Sequence, residues 1–419
     1  MELSPNNPDS SAVVLKTVFG TMVFFSKVFP LALVALSVNG AEILSAPAGA
    51  EVIKNSYIVV MKDDVSSQDF DSHRDWVANI HHERLARRGS TDVGGMRFTY
   101  KFDGALKAYA GSFDKETIQE IAKRPNVAYI ERDQVVTASA VVTQRNAPWG
   151  LGRVSNRRPG VSDYRYDDSA GQGVTAYIVD TGIDVNHPDF RGRATWGTNT
   201  VDSINRDCNG HGTHCAGTVA GTTYGIAKNA RLVAVKVLDC NGSGSTSAIM
   251  RGLEWAVQHA RSNGGAGRAV MNMSLGGSFS QASNAAAAAV VRAGIFLAVA
   301  AGNSNRDTRG FSPASEPTVC TIAASNIRDQ KASFSNWGSL IDVYAPGQDV
   351  LSARPGGGTA TLSGTSMAAP HVAGLGAYLM GLGATGGGPL CDRIKQLSYG
   401  AISNPGTSTT NRIIFNGVQ

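Results

Sequence analysis

Three separated motifs in this chain contain the residue types needed for nucleophilic catalysis by a serine hydroxyl. Ser366 lies in the sequence Gly-Thr-Ser-Met-Ala-Ala-Pro, where small neighbours let a substrate carbonyl approach and a predicted helix start offers unpaired backbone N–H groups. A serine hydroxyl needs a base, and the base needs an acid that orients it. His211 in Asn-Gly-His-Gly-Thr-His and Asp180 in Val-Asp-Thr-Gly supply these groups. We therefore predict Ser366 as nucleophile, His211 as general base and Asp180 as orienting acid.

A fourth motif and two stretches rich in Gly and Ser are candidates for substrate binding. Asn303 follows Ala-Ala-Gly at the end of an apolar run, and its amide can donate to an oxyanion together with the backbone N–H of Ser366. The two stretches can pair with an extended peptide as added strands, although such stretches also occur as plain flexible turns. The residues assigned to peptide binding in them are Gly242, Ser243, Gly244, Ser274, Leu275 and Gly276.

The other candidate side chains are more typical of structural roles. His211 and His214 have the spacing of a metal-binding pair, but no glutamate or third ligand stands at the spacing of a zinc protease. We therefore expect no metal at the triad. The residues that we assign to packing, capping or turns are His214, His371, Asp184, Asp189 and Asp207.

Composition indicates a globular protein with one large core and a smaller domain. The chain has 419 residues, of which 42% are hydrophobic and 17% are charged, with a net charge of +5. Short basic clusters at 84–88 and 157–158 lack interleaved aromatic residues, so they favour solvated surfaces over a nucleic-acid site. We expect no nucleic-acid partner.

The elements that must position these residues fall into two patterns. From about 56 to 137, the order βαββαβ predicts a small α+β domain of the ferredoxin-like type. Its predicted strands are 57–61, 96–102, 106–113 and 127–130, and its helices are 68–88 and 115–123. A loose stretch, 137–145, follows.

Beyond this stretch, near-continuous apolar strands alternate with helices. The predicted strands are 174–180, 232–238, 270–275, 295–300 and 319–323, and the helices are 211–219, 246–262, 281–293 and 366–380. This alternation predicts an α/β fold with a three-layer arrangement, a parallel sheet covered by helices on both faces. Functional residues are then expected at the carboxyl ends of the strands, where Asp180 and Asn303 lie.

The N-terminal segment is typical of a secretory signal. Residues 23–38 are mostly apolar and contain Lys27, and small residues follow. We assign residues 1–40 to a leader and signal peptide, with Met22 as a candidate native start, and we expect a secreted protein without a membrane anchor. Secretion makes disulfides plausible, and the five cysteines leave one thiol free.

On these motifs the chain resembles the subtilisin family. Their order, with the acid first and the serine last, is that of the subtilisin triad. Three further phrases resemble the proteinase K group, and most closely the secreted subtilisins of filamentous fungi: Asn-Ala-Pro-Trp-Gly at 146–150, Ser-Pro-Ala-Ser-Glu-Pro at 312–317 and Ser-Phe-Ser-Asn-Trp-Gly at 333–338.

The resemblance implies a domain organisation and an activity. Residues 41–139 would be an inhibitory propeptide that is removed autocatalytically near Ser139 and Ala140, and residues 140–419 would be the catalytic domain. Gly276, Ala300 and Gly302 would form the wall of the specificity pocket, where their small size leaves room for a large apolar side chain. The implied protein is a monomeric, secreted serine endopeptidase of broad specificity that acts on proteins and peptides.

The resemblance also implies a metal site and disulfides. Catalysis would need no cofactor. A structural calcium ion would bind the carbonyls of Pro317 and Val319 and the carboxylate of Asp342, while a second calcium site is doubtful because Arg157 and Ala401 replace its ligands. The implied disulfides are Cys208–Cys240 and Cys320–Cys391, with Cys215 free.

Two other functions and one modification remain open at this point. In a lipase or esterase of the α/β-hydrolase type the histidine follows the serine, whereas here both partners precede it. The second alternative is a non-enzymatic binding module with the same scaffold. Such a module would not need the complete set of catalytic residues, which this chain contains. The sequons at Asn241 and Asn272 are candidate glycosylation sites, and Asn272 lies in an apolar strand that makes it inaccessible.

Overall fold

The computed structural model describes residues 40–46, 52–88, 94–102, 105–135 and 140–418. The predicted signal segment, the candidate start at Met22 and Ser139 of the predicted cleavage bond lie outside these residues.

The N-terminal domain is a five-stranded sheet with two helices. The strand order is β1-β5-β2-β4-β3, in which the last four strands have the antiparallel order of a ferredoxin-like fold, and β1 pairs in parallel with β5. This confirms the predicted βαββαβ arrangement and adds β1, which the sequence analysis did not predict. The elements are β1 (Glu42–Leu44), β2 (Val52–Met61), α1 (Ser67–Arg88), β3 (Gly95–Phe102), β4 (Leu106–Ser112), α2 (Lys115–Ala122) and β5 (Val127–Gln134).

Local sequence signals explain where α2 begins and ends. The Asp114 side chain accepts a hydrogen bond from the backbone N–H of Thr117 at 2.7 Å, which satisfies one of the donors left unpaired at a helix start. Ile118 and Ile121 are buried in the domain core, and Pro125 follows the end of the helix. The helix therefore presents one apolar face to the sheet.

The second domain contains a nine-stranded sheet and six helices. Its strands are β6 (Val141–Gln144), β7 (Tyr164–Asp167), β8 (Thr175–Asp180), β9 (Ala194–Asn199), β10 (Arg231–Lys236), β11 (Ala269–Met273), β12 (Gly277–Ser278), β13 (Phe296–Ala300), β14 (Phe311–Ser312), β15 (Cys320–Ser325), β16 (Val343–Pro346), β17 (Val350–Arg354), β18 (Gly358–Leu362), β19 (Tyr399–Gly400) and β20 (Arg412–Ile413). Its helices are α3 (Trp149–Ser155), α4 (His211–Ala220), α5 (Thr246–Ser262), α6 (Gln281–Arg292), α7 (Thr365–Gly381) and α8 (Gly388–Leu397).

The large sheet is parallel except at one edge. Its order is β19-β20-β16-β15-β13-β11-β8-β10-β9, and only the pairing of β19 with β20 is antiparallel among the described strands. Both faces are covered, because Ala176 and Ile178 of β8 belong to a core with α4 and α7, whereas Tyr177 and Val179 belong to a second core with α5 and α6. The predicted three-layer fold is confirmed.

The segment after the first domain is more ordered than the sequence suggested. We expected a loose stretch at 137–145, but β6 occupies part of it and pairs antiparallel with β7. Ala140 exchanges hydrogen bonds with Asp168 through its backbone N–H and carbonyl. Residues from Ala140 onward are thus already part of the second domain. None of the described helices is both long and apolar enough to cross a bilayer.

A buried ion pair ties α3 to the C-terminal half of the domain. The Arg153 guanidinium donates two hydrogen bonds to the Asp329 carboxylate, at 2.7 and 2.9 Å, and both side chains are at least nine-tenths buried. Arg153 also donates to the Tyr399 hydroxyl at 2.6 Å. Removing one partner of such a pair leaves the other charge buried without compensation.

The substitution Asp329→Ala should therefore lower the free energy of unfolding by about 3–5 kcal/mol. Urea denaturation of the protein measures this change. Asp392→Ala is the matched control, because Asp392 pairs with Lys395 at 2.8 Å but is 68% exposed, and its loss should cost at most about 1 kcal/mol. Equal stabilities of the two variants would contradict the role assigned to the Arg153 pair.

Candidate active site

The predicted acid and base meet at the carboxyl end of β8. Asp180 is the last residue of β8 and is fully buried, while His211 is the first residue of α4. The His211 Nδ1 and Asp180 Oδ1 atoms lie 2.7 Å apart, and the same oxygen accepts the backbone N–H of Thr181 at 2.8 Å. This contact requires Nδ1 to carry a proton, so Nε2 of a neutral His211 is left as an acceptor.

The electrostatics of the pair make His211 more basic. Burial by itself lowers the pKa of His211, but the Asp180 carboxylate and the neighbouring Cys215 together outweigh burial and raise that pKa well above the usual 6.5. An imidazole with a raised pKa is a better proton acceptor, and the nearby carboxylate stabilises the imidazolium that forms.

Ser366 lies in the same cleft, on the first turn of α7. Its Oγ donates to the carbonyl of Ser274 at 3.1 Å. Within residues 140–418, no hydrogen bond joins the Ser366 hydroxyl to His211. A serine hydroxyl turns freely about its Cα–Cβ bond, and such catalytic contacts are often long before substrate binds. The cleft is thus lined by His211 and Ser366, with the hydroxyl turned towards Ser274, and Asp180 is buried beside His211.

A proline inside α7 explains how the backbone of Ser366 is held. Pro370 has no N–H, so it cannot form the helical bond to the carbonyl four residues earlier, which is that of Ser366. That carbonyl instead accepts from the Ser274 hydroxyl at 2.7 Å and from the Cys215 thiol at 3.4 Å. These two contacts, which the sequence analysis missed, attach α7 to the segment that follows β11 and to α4.

The candidate oxyanion donors face the same space. Asn303 Oδ1 accepts two hydrogen bonds from Thr365, from the backbone N–H at 2.8 Å and from the hydroxyl at 2.9 Å. Because its oxygen is engaged there, the Asn303 Nδ2 group is the end of the amide left for the cleft, which Asn303 lines. Ser366 is the second residue of α7, so its N–H belongs to the turn whose donors have no helical partner.

The cleft has a volume of about 700 Å³, and every residue predicted to bind substrate lines it. The segment at 242–244 lines one side, the segment at 274–276 another, and Ala300 and Gly302 lie in its wall. Among the described residues that line it, His211 is the only one with an ionisable side chain. This interior is suited to an extended peptide with an apolar side chain rather than a charged one.

The histidines assigned to packing are buried and uncharged. His214 Nε2 contacts the carbonyls of Val350 and Ala360, and burial lowers the pKa of His214 to about 4. His371 Nδ1 contacts the Met367 carbonyl, and burial likewise lowers its pKa to about 4. Neither lines the cleft.

The cysteines form two disulfides and one free thiol. Cys208 is bonded to Cys240 and Cys320 to Cys391, which are the pairings that the resemblance implies. The first disulfide joins the loop before α4 to the loop that contributes Gly242 to the cleft. Cys215 is free and buried, with its Sγ 3.9 Å from His211 Nδ1.

The residues implied for calcium include a carboxylate that already has a cationic neighbour. Asp342 Oδ2 accepts the backbone N–H of Thr321 at 2.9 Å, and Oδ1 lies 3.2 Å from the Lys395 ammonium. A carboxylate oxygen is the type of ligand that a hard cation takes, and the Lys395 ammonium is the cation that contacts Oδ1 here. At the doubtful second site, the Arg157 guanidinium lies over the rings of Tyr399 and Phe415.

Comparisons with known proteins agree with this geometry. Residues 171–386 match the model of the Subtilase family, and residues 56–139 match that of Peptidase inhibitor I9. A subtilisin-like protease of Coccidioides posadasii is 72% identical over 95% of this chain and 100% of the relative. Subtilisin-like protease 7 of Trichophyton violaceum is 58% identical over 94% of this chain and 99% of the relative.

A solved structure is also similar. It is the crystal structure of a cold adapted subtilisin-like serine proteinase, 41% identical in sequence, with a TM-score of 0.62. The match covers 65% of this chain and 100% of that chain.

Proposed function

The chain belongs to the subtilase family of serine proteases, and from that premise we propose that Ser366, His211 and Asp180 carry out its peptide hydrolysis. The observation that carries this proposal is the 2.7 Å contact between the buried Asp180 and His211, which lines the same cleft as Ser366. The match to an inhibitor domain before the protease domain means that the protein is made as a zymogen.

In the proposed reaction the Ser366 hydroxyl turns from the Ser274 carbonyl towards His211 Nε2. Ser366 Oγ attacks the peptide carbonyl carbon as its proton passes to Nε2, and Asp180 stabilises the imidazolium. The Asn303 amide and the Ser366 N–H donate to the oxyanion. The C–N bond then breaks as Nε2 gives its proton to the leaving amine. Water, deprotonated by His211, hydrolyses the acyl-enzyme and restores the hydroxyl.

We place the activating cut between Ser139 and Ala140. Two features support this position. β5 of the first domain ends at Gln134, and β6 of the second begins at Val141, so the boundary between the folded units falls in this interval. The backbone of Ala140 is already bonded to Asp168. The inhibitory propeptide would then comprise residues 41–139 and the mature enzyme residues 140–419.

The remaining proposals concern location and modification. The apolar segment at 23–38 supports secretion. The enzyme is proposed to act as a monomer on proteins and peptides. Of the two sequons, Asn241 is exposed, whereas Asn272 is 1% exposed and its amide donates to Ser274. We assign glycosylation to Asn241 only, because an acceptor asparagine has to be accessible.

Replacing the nucleophile tests the proposed function directly. The precursor with Ser366→Ala should remain uncut near Ser139, and its casein hydrolysis should fall by about 10⁶-fold, because no hydroxyl is left to form the acyl-enzyme. Gel analysis of processing and a casein assay measure these outcomes beside the wild type. Efficient self-processing by the variant would overturn the assignment of Ser366.

Peptide substrates that differ only at the residue before the scissile bond test the proposed specificity. Phe and Leu should exceed Asp and Lys in kcat/KM by about 100-fold, because the uncharged cleft leaves a charged side chain without a partner. Peptides with Ala, Met or Tyr before the scissile bond should also be hydrolysed, because the proposed specificity is broad. A preference for a charged residue would contradict this account of the cleft.

Calcium should raise the melting temperature of the mature enzyme. At a 100-fold excess over Kd the expected shift is about 5–10 °C, or about 2.7 kcal/mol, relative to the chelated protein. Asp342→Asn should abolish the shift, and Lys395→Met should enlarge it, because it removes the ammonium that competes for Asp342. Equal melting temperatures of the wild type with calcium and with chelator would refute the proposed site, which comprises Pro317, Val319 and Asp342.

A further inference from the structure

The carboxylate of Asp207 lies just before α4 and makes five hydrogen bonds. Asp207 is 6% exposed. Its Oδ1 accepts from the Thr181 hydroxyl at 2.9 Å and from the backbone N–H groups of Asn209 and Gly210 at 3.1 and 2.8 Å. Its Oδ2 accepts from the Thr213 backbone N–H at 2.9 Å and from the Thr213 hydroxyl at 2.6 Å. Both oxygens are therefore surrounded by donors only.

These donors belong to the two segments that carry the catalytic acid and base. Thr181 directly follows Asp180 at the end of β8, and its hydroxyl oxygen accepts the backbone N–H of Gly212 at 2.9 Å. Gly212 directly follows His211. The carboxylate of Asp207 and the Thr181 hydroxyl thus form a continuous hydrogen-bonded link between the end of β8 and the first turn of α4.

The loop that contains Asp207 is held from outside as well. Cys208 is bonded to Cys240, and the Asn209 side chain donates to the Cys240 carbonyl at 3.1 Å. These contacts limit how far the loop can move. The Asn209 side chain also accepts the backbone N–H of His211 at 3.3 Å, but within the described residues it makes no hydrogen bond to the segment that ends β8. The carboxylate of Asp207 adds to the direct contact between His211 and Asp180, because it bonds to both catalytic segments at once.

Several charged groups surround this link. The fully buried Lys236 on β10 donates to the Thr181 carbonyl at 3.1 Å, and its ammonium lies 3.5 Å from Asp202. Asp180 lies on β8 and the Cys215 thiol on α4, while Asp207 itself adds a negative charge to the N-terminus of α4, where the helix dipole favours one. A neutral residue at 207 would therefore remove a negative charge next to the N-terminus of α4, which begins with His211.

We propose that Asp207 is a positioning residue that sets the His211 imidazole against Asp180 through Thr181 and the first turn of α4. Asp207 does not touch the substrate or the reacting atoms. The proposal rests on the triad roles proposed above. It assigns a catalytic consequence to a residue whose sequence context indicated only a turn.

The variant Asp207→Asn tests the proposal with little change in volume. In this variant an NH₂ group, which can only donate, takes the place of one carboxylate oxygen. Because both oxygens of Asp207 accept from donors only, the hydrogen bonds of either Oδ1 or Oδ2 are lost in each of the two orientations of the amide. Displacing a catalytic group by about 1 Å can cost about 100-fold in rate, so we expect kcat per active site to fall by about 10- to 100-fold. KM should stay within about 2-fold, because Asp207, in the part of the chain that the structure describes, makes no hydrogen bond to the peptide-binding segments at 242–244 and 274–276. The acid limb of kcat/KM should move to lower pH, because a displaced imidazolium loses part of its contact with the Asp180 carboxylate.

Asp189→Asn is the matched control. Asp189 is 8% exposed, its carboxylate accepts backbone N–H groups of Thr223 at 2.7 Å and Tyr224 at 3.4 Å, and it does not line the cleft. This variant should lose stability comparably but keep kcat per active site within about 2-fold and leave the pH profile unchanged. Active-site titration normalises each rate to correctly folded enzyme.

A second pair of variants covers the case in which Asp207→Asn does not fold. Thr181→Val removes the hydroxyl that joins Asp207 to Gly212, and Thr181→Ser retains it. We expect Thr181→Val to lower kcat and Thr181→Ser to restore it to within about 3-fold of the wild type.

The proposal is overturned if Asp207→Asn has the kcat and acid limb of the wild type. It is also overturned if Thr181→Val and Thr181→Ser have equal kcat values. Such results would leave the triad assignment intact as long as Ser366→Ala is inactive. An active Ser366→Ala enzyme would instead refute the proposed function itself.

Discussion

The rest of the site depends on the hydrogen bond between the buried Asp180 carboxylate and His211 Nδ1. A carboxylate without solvent exposure is costly unless it is paired, and here its Oδ1 accepts from the imidazole and from the Thr181 N–H. The same contact fixes which ring nitrogen carries the proton and raises the pKa of His211. The contact with Asp180 therefore sets the tautomer and orientation of the base, and together with Cys215 it raises the basicity of the base.

The fold makes this contact possible by bringing distant segments to one edge of a parallel sheet. β8 ends at Asp180, while α4 and α7 begin at the same edge with His211 and Thr365. Small residues allow the approach: a Cβ on Gly212 would lie 2.1 Å from the carbonyl oxygen of Gly182. Pro370 leaves the Ser366 carbonyl without a helical hydrogen bond, and this carbonyl accepts from Ser274 and Cys215 instead. The proline therefore allows the contacts that hold the backbone of the nucleophile.

Much of this arrangement could be predicted from local sequence patterns. The predicted bounds of α5 agree with the structure, and the buried strands agree to within one or two residues. β9 and β16 were missed because short or partly polar strands have no distinctive pattern. The contacts of Thr365 with Asn303 and of Asp207 with Thr181 join residues 62 and 26 positions apart, and they depend on tertiary structure that no local signal encodes.

The most direct test of the account is the pH dependence of the acylation rate, measured by stopped flow with a peptide ester. Catalysis needs neutral His211, so the wild-type rate should rise with pH through an inflection above 6.5. Asp180→Asn should acylate about 10⁴-fold more slowly. Its inflection should lie at lower pH, because the imidazolium loses its carboxylate partner. A wild-type inflection at or below 6.5, or an Asp180→Asn enzyme that acylates at the wild-type rate, would contradict the account.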